Sequence, residues 1–143
     1  GGAFGIGSDS NLRISLSEEL RLLEYSQRLA AKGRAMLAEE GRSTGRVLYE
    51  EACYGGALAG GRDGGRIAVG AWADLVALDC TGPDMAHSKG DMLLDTFIFA
   101  GDDRMVREVW SAGRHIVTSG QHAARGSIIA RYQTAMARLR GAL

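Results

Sequence analysis

Residues 3–29 read AFGIGSDSNLRISLSEELRLLEYSQRL. Two unlike patterns meet inside this stretch. Ala3 to Gly7 is apolar and small, the composition of a short buried strand over residues 3–8. Ser8-Asp9-Ser10-Asn11 is turn chemistry, because short polar side chains hydrogen-bond to their own backbone. After Ser15 the apolar positions take helical spacing. Leu16, Leu20 and Leu23 form one stripe, which Leu22, Tyr25 and Leu29 widen. The stretch therefore predicts a strand, a turn bearing an aspartate, and a buried helix. A strand has unpaired backbone groups on both edges and needs neighbours. No second strand follows at hairpin distance.

The rest of the chain continues as helices and then short strands. Ser15 with Glu18 fits a capping box, with Ser17 the other candidate cap. Glu18 and Glu19 in the first turn suit the helix dipole. The helix is expected to run to about Glu40, with Gly33 a weak point. Ser43 or Thr44 caps a second helix through about Ala59. Its face of Ala52, Gly55, Gly56 and Ala59 is all small, which permits close approach of another element. GGRDGG (60–65) ends it with glycines that accept left-handed backbone. ADLVALD (73–79) is a β run, and TFIFAG (96–101) fits either a strand or a helix end. Val106, Val109, Ile116 and Val117 mark a hairpin turning at Ala112-Gly113. Ile128, Tyr132, Met136 and Leu139 share one face of a closing helix. Three or four short strands need further strands or a covering layer to be stable.

Composition excludes several function classes. The 143 residues include 17 basic and 17 acidic ones, and 45% are apolar. Zero net charge argues against a general nucleic-acid footprint. No run approaches the ~20 apolar residues of a membrane span. The basic stretch from Arg125 to Arg140 reads as a solvated helix face. Cys53 and Cys80 form no CxxC pair and read as reduced, buried small residues of a cytosolic protein. No signal-peptide pattern is visible.

Asp9 is the sharpest candidate for chemistry. A carboxylate where a strand ends and a loop begins occupies the position that carries catalytic groups in α/β barrels. It can bind a metal or accept a proton from water. A plain turn aspartate is the competing reading. His87, His115 and His122 show no ligand spacing and read as surface or structural residues. A zinc site made by this chain alone is therefore not expected, since Zn²⁺ takes three or four protein ligands. GGAFGIGS lacks the spacing of a phosphate loop, and GRDGGR reads as a connector. Trp72 and Trp110 are expected to pack the small β region.

Three stretches together resemble the amidohydrolase superfamily. FGIGSDS is similar to the family's eighth barrel strand with its terminal metal-site aspartate. GRIAVGAWADLVALD (65–79) is similar to the segment where the chain leaves the barrel for a small β-sandwich. VREVWSAGRHIVTSGQH (106–122) is similar to the family's late hairpin. Within the superfamily, SDS followed by S-x-x-EELR-x-LEY-x-QRL resembles the formimidoylglutamate deiminases. Relatives that deaminate guanine, cytosine or adenosine-type rings, or that dechlorinate triazines, share the general motifs. They resemble the helix after Asp9 less.

The resemblance implies an α/β fold. It would be the C-terminal fragment of a (β/α)₈ metal-dependent hydrolase barrel plus part of the small β-sandwich. Residues 1–62 would end the barrel, residues 63–123 would form the sandwich portion, and residues 124–143 the C-terminal helix. The family's histidine ligands and substrate-binding residues are expected before Gly1. Asp9 alone carries over as a metal and catalytic residue. The implied reaction is Zn²⁺-dependent hydrolysis of N-formimidoyl-L-glutamate to N-formyl-L-glutamate and ammonia. Asp9 would take a proton from water and return one to the departing amine. The resemblance implies a cytoplasmic enzyme and a homodimer, with a small-molecule substrate, no nucleic acid and no membrane. Other amidohydrolases or a non-catalytic association module are the alternatives.

Overall fold

The computed structural model describes residues 2–142. It begins with two helices, α1 (Leu16–Ala31) and α2 (Thr44–Ala59). Strand β1 (Leu75–Leu78) follows, then the short helix α3 (Asp91–Asp95), which runs directly into a π-helical turn at Thr96–Ala100. Strands β2 (Val106–Ser111), β3 (Arg114–Thr118) and β4 (Gln121–His122) complete an antiparallel sheet in the order β1-β2-β3-β4. Helix α4 (Arg125–Gly141) closes the chain.

Helix α1 starts where its sequence says. Ser15 Oγ accepts the Glu18 N–H at 3.2 Å. Ser17 Oγ donates to Asp103 Oδ1 at 3.0 Å, which ties this end of the helix to the turn before β2. The Arg21 guanidinium donates to the Ile98 and Gly101 carbonyls, both at 2.7 Å, and so satisfies the end of the π-helical turn. The helix stops at Ala31, well short of the expected Glu40. The buried Glu24 carboxylate explains this. It accepts the backbone N–H groups of Met36 and Leu37 at 3.0 Å each and the Arg28 Nε–H at 2.6 Å. The chain is thereby folded back onto α1, with Lys32 in the left-handed region at the turn.

Helix α2 follows expectation in both bounds, with Ser43 Oγ accepting the Arg46 N–H at 3.2 Å. Two carboxylates from α3 complete its N-terminus. Asp91 accepts the Ser43 N–H at 3.0 Å, and Asp95 accepts the Gly45 N–H at 2.7 Å. The small face of α2 receives the N-terminal segment. A Cβ on Gly55 would overlap the Phe4 carbonyl, and one on Gly5 would lie 3.3 Å from Gly56 Cα. Phe4 and Ile6 thereby reach the core of Leu20, Leu48, Met85, Phe97 and Ile98.

Segment 3–8 does not form the expected strand. It runs beside α2 without a ladder, because none of the four strands lies against it. TFIFAG is helical, and its Phe97 and Ile98 are buried. Cys80 is exposed and Cys53 is half-buried, so neither is the fully buried residue expected; both are free thiols. Trp110 does pack in the sheet, its ring stacked on that of His115 at 4.5 Å. Trp72 stays half-exposed beneath the Arg62 guanidinium. Helix α4 forms, yet its apolar face is uncovered: Ile128, Tyr132 and Leu139 are all exposed. No helix is long and apolar enough to cross a membrane among the described residues.

The surface is large for the mass. The chain exposes 10108 Å². A self-contained fold of 15.2 kDa exposes about 7,100 Å². Ile67 and Val69 carry part of this excess, being almost wholly solvent-exposed.

Two neighbouring glycines of α2 are expected to respond oppositely to alanine. Gly55→Ala forces the Phe4 segment away and should lower stability by about 1–3 kcal/mol. Gly56→Ala meets nothing within 4 Å and should raise it by up to ~1 kcal/mol through helix propensity. Urea unfolding of the two variants checks this.

Candidate functional site around Asp9

Asp9 lies in a tight turn that follows the N-terminal segment. The Asn11 N–H donates to the Ser8 carbonyl at 2.7 Å and closes this turn. Asp9 itself has φ +45°, a left-handed conformation that aspartate tolerates better than most residues. Its carboxylate is exposed and, among the described residues, has no hydrogen-bond or ion-pair partner. The loop after it is tied to the first turn of α1. Asn11 Nδ2 donates to Glu19 Oε1 at 2.6 Å, and Arg13 Nε pairs with Glu18 Oε2 at 2.8 Å.

The histidines sit elsewhere in the fold. His87 occupies a loop with φ +62°. His115 lies on β3, its Nε2 2.6 Å from Glu108 Oε2. His122 Nδ1 accepts the Ala124 N–H at 3.1 Å. Among the described residues, no three His, Cys, Asp or Glu side chains come together as a metal site. Asp9 still suits one position of such a site, being an oxygen donor with no competing cation. It would supply a single donor, and Zn²⁺ takes four ligands.

Two concavities flank these elements. One, of about 670 Å³, lies between segment 4–7 and α1 and is lined by Phe4, Ile6, Leu22, Leu23, Leu37 and Glu19. Its walls are mostly apolar, which suits packing rather than proton transfer. The other holds Asp79, Asp84, Asp102 and Arg104. Two of its carboxylates already have partners within the chain. Asp79 accepts from Thr81 and Arg107, and Asp102 accepts from the Arg104 guanidinium at 2.6–3.0 Å. Those Arg104 hydrogen bonds pull the Asp102 pKa down to about 2.

Comparisons with known proteins give this geometry its context. The profile of the amidohydrolase family matches residues 1–116. The chain belongs to the amidohydrolase family. It is 49% identical over 124 residues to the formimidoylglutamate deiminase of Pseudomonas aeruginosa. That match covers 86% of this chain and 27% of the relative, in the relative's C-terminal region. The crystal structure of an amidohydrolase from Brucella melitensis superposes with a TM-score of 0.85 at 44% identity, covering 96% of this chain and 30% of that one. An adenosine deaminase from Xanthomonas campestris, solved with bound zinc, superposes with a TM-score of 0.76 at 24% identity over 94% of this chain and 30% of its own. At that identity the likeness speaks for the fold alone. The chain thus spans under a third of the length of these relatives and has the mixed α/β fold of the matching part of an amidohydrolase.

The Asn11–Glu19 contact was not anticipated from sequence. In the sequence, Glu19 fits only as a charge at the helix dipole. The available signal was an amide side chain in the turn, eight residues before an acid in the first helical turn.

The depressed Asp102 carboxyl carries a pH dependence. An unfolded-state aspartate titrates near ~3.9. A group with a lowered folded pKa contributes stability above the unfolded value and loses it as pH falls through the folded one. The melting temperature should therefore decline from about pH 4 toward pH 2, and Asp102→Asn should flatten that part of the curve. Thermal melts across this range check it.

Proposed function

We propose that this chain is the C-terminal part of a zinc-dependent deiminase that hydrolyses N-formimidoyl-L-glutamate to N-formyl-L-glutamate and ammonia. The observation that carries the reading is the 49% identity to a formimidoylglutamate deiminase across 86% of the chain. The excess surface supports it, since exposed apolar residues such as Ile67 and Val69 are explained by packing against the remainder of a barrel. On this reading residues 1–62 end the barrel, residues 63–123 belong to the small β-sandwich, and residues 124–143 add the closing helix. Segment 3–8 then becomes the eighth strand, its free edges paired by strands from outside this chain. The enzyme works in the cytoplasm.

Asp9 is the proposed metal-site carboxylate, and the only ligand assigned here. A bound Zn²⁺ supplies Lewis-acid chemistry that makes water reactive near neutral pH. Asp9 acts on the protons. Its carboxylate accepts one from the attacking water as the C–O bond forms at the formimidoyl carbon. The protonated Asp9 then gives that proton to the departing nitrogen and relays the remaining proton of the added hydroxyl to the same nitrogen, so that the carbonyl forms as the C–N bond breaks and ammonia leaves. The exposed, unpartnered state of the Asp9 carboxylate supports this role, because nothing among the described residues competes for its lone pairs.

Asp9→Asn separates this role from that of a plain turn residue. Asparagine keeps the size and accepts a left-handed conformation, so the complete enzyme should still fold, the Asp9 carboxylate making no hydrogen bond or ion pair among the described residues. The kcat for N-formimidoyl-L-glutamate should fall by about 10²–10⁴-fold. Wild-type turnover in this variant contradicts the assignment.

A further inference from the structure

We propose that Asn11 and Glu19 form a clasp that positions Asp9 for proton transfer, an inference that rests on the role of Asp9 given above. The turn that bears Asp9 has few restraints. Upstream, the chain is held at Phe4 and Gly5 against α2. Downstream, it is fixed again at the Ser15 cap of α1. Between these points the backbone hydrogen bond from Asn11 to Ser8 closes the turn upon itself but attaches it to nothing else. Attachment comes from two side chains, Asn11 on Glu19 and Arg13 on Glu18. The Arg13 side chain is 70% exposed, and an ion pair so open to water is weak. The Asn11 bond is exposed as well, but it is short, at 2.6 Å, and its acceptor is a carboxylate, which strengthens it.

Glu19 is a firm anchor because α1 is itself locked. Ser17 bonds to Asp103, Arg21 to the carbonyls of Ile98 and Gly101, and the neighbouring Leu20 is fully buried. The clasp therefore extends the rigidity of a core helix to a turn whose central residue sits at φ +45°. Released from Glu19, the turn is free to relax Asp9 toward a negative φ, which swings the carboxylate away from its working direction. Asn11 and Glu19 are positioning residues: neither is required to touch substrate.

The test uses the complete enzyme with N-formimidoyl-L-glutamate and compares Asn11→Ala, Glu19→Ala, their double variant, Glu19→Gln and Asp9→Asn. Each alanine variant should lose about ten- to a hundredfold in kcat, the scale of a misplaced catalytic group, with KM within about twofold and an unchanged melting temperature. The double variant should fall no further than the worse single one, because both remove the same contact. Glu19→Gln keeps an acceptor oxygen and should recover most of the rate. Near-normal kcat in both alanine variants while Asp9→Asn is inactive overturns the clasp and leaves the role of Asp9 standing. Multiplicative losses in the double variant also overturn it. Normal turnover by Asp9→Asn overturns the role of Asp9 and the clasp with it. Amide exchange gives a readout independent of substrate: the Asn11 N–H should exchange faster in Glu19→Ala than in wild type, and an unchanged rate refutes the clasp.

Discussion

The contact between the Phe4 backbone and Gly55 is the constraint on which the placement of Asp9 depends. No side chain fits between them. Only an all-small helix face lets an extended segment lie so close, and α2 supplies one. Phe4 and Ile6 then reach the core around Leu20 and Leu48. Asp9 follows three residues after Ile6, so its turn begins from a fixed point. The Ser15 cap and the Asn11–Glu19 bond fix the other side. The proposed metal-site carboxylate is thus carried on a loop while the elements beneath it are held by packing, the arrangement that places function on loops and precision in the scaffold.

Charged side chains perform a second structural task in this chain. They end helices and join elements where the apolar core is thin. Glu24 terminates α1 by capturing two backbone N–H groups. Asp91 and Asp95 complete the start of α2. Arg21 completes the end of the π-helical turn. Each satisfies backbone groups that would otherwise lack partners. This polar bracing holds the helical region together although much of its apolar surface remains in water. The exposed faces of α4 and of Ile67 and Val69 are what membership of a longer fold would cover.

Local signals in the sequence are legible where local physics decides. The capping serines, both bounds of α2, the small face at Gly55 and the Ala112-Gly113 hairpin all follow from short-range chemistry. The amidohydrolase resemblance was legible because three separated motifs kept their order, and the family match bears it out. The misses arose where distant groups intervene. The stop of α1 at Ala31 depends on Glu24 reaching Met36 and Leu37, twelve and thirteen residues on. Segment 3–8 has strand composition but needs a neighbour to become a strand. TFIFAG fits either a strand or a helix end by sequence; it is helical, and Arg21, far off in sequence, donates to its Ile98 and Gly101 carbonyls. Asp9 was visible as a strand-end carboxylate, whereas the clasp that holds its turn required knowing how α1 folds back beside it.

The account stands on Asp9 being a metal-site carboxylate. A crystal structure of the complete protein loaded with Zn²⁺, with anomalous scattering at the zinc edge, tests this most directly. It should show an Asp9 carboxylate oxygen at about 2.0–2.2 Å from the metal, with histidines from outside this chain completing the site. A metal held wholly by other residues, with the Asp9 carboxylate in solvent, would contradict it.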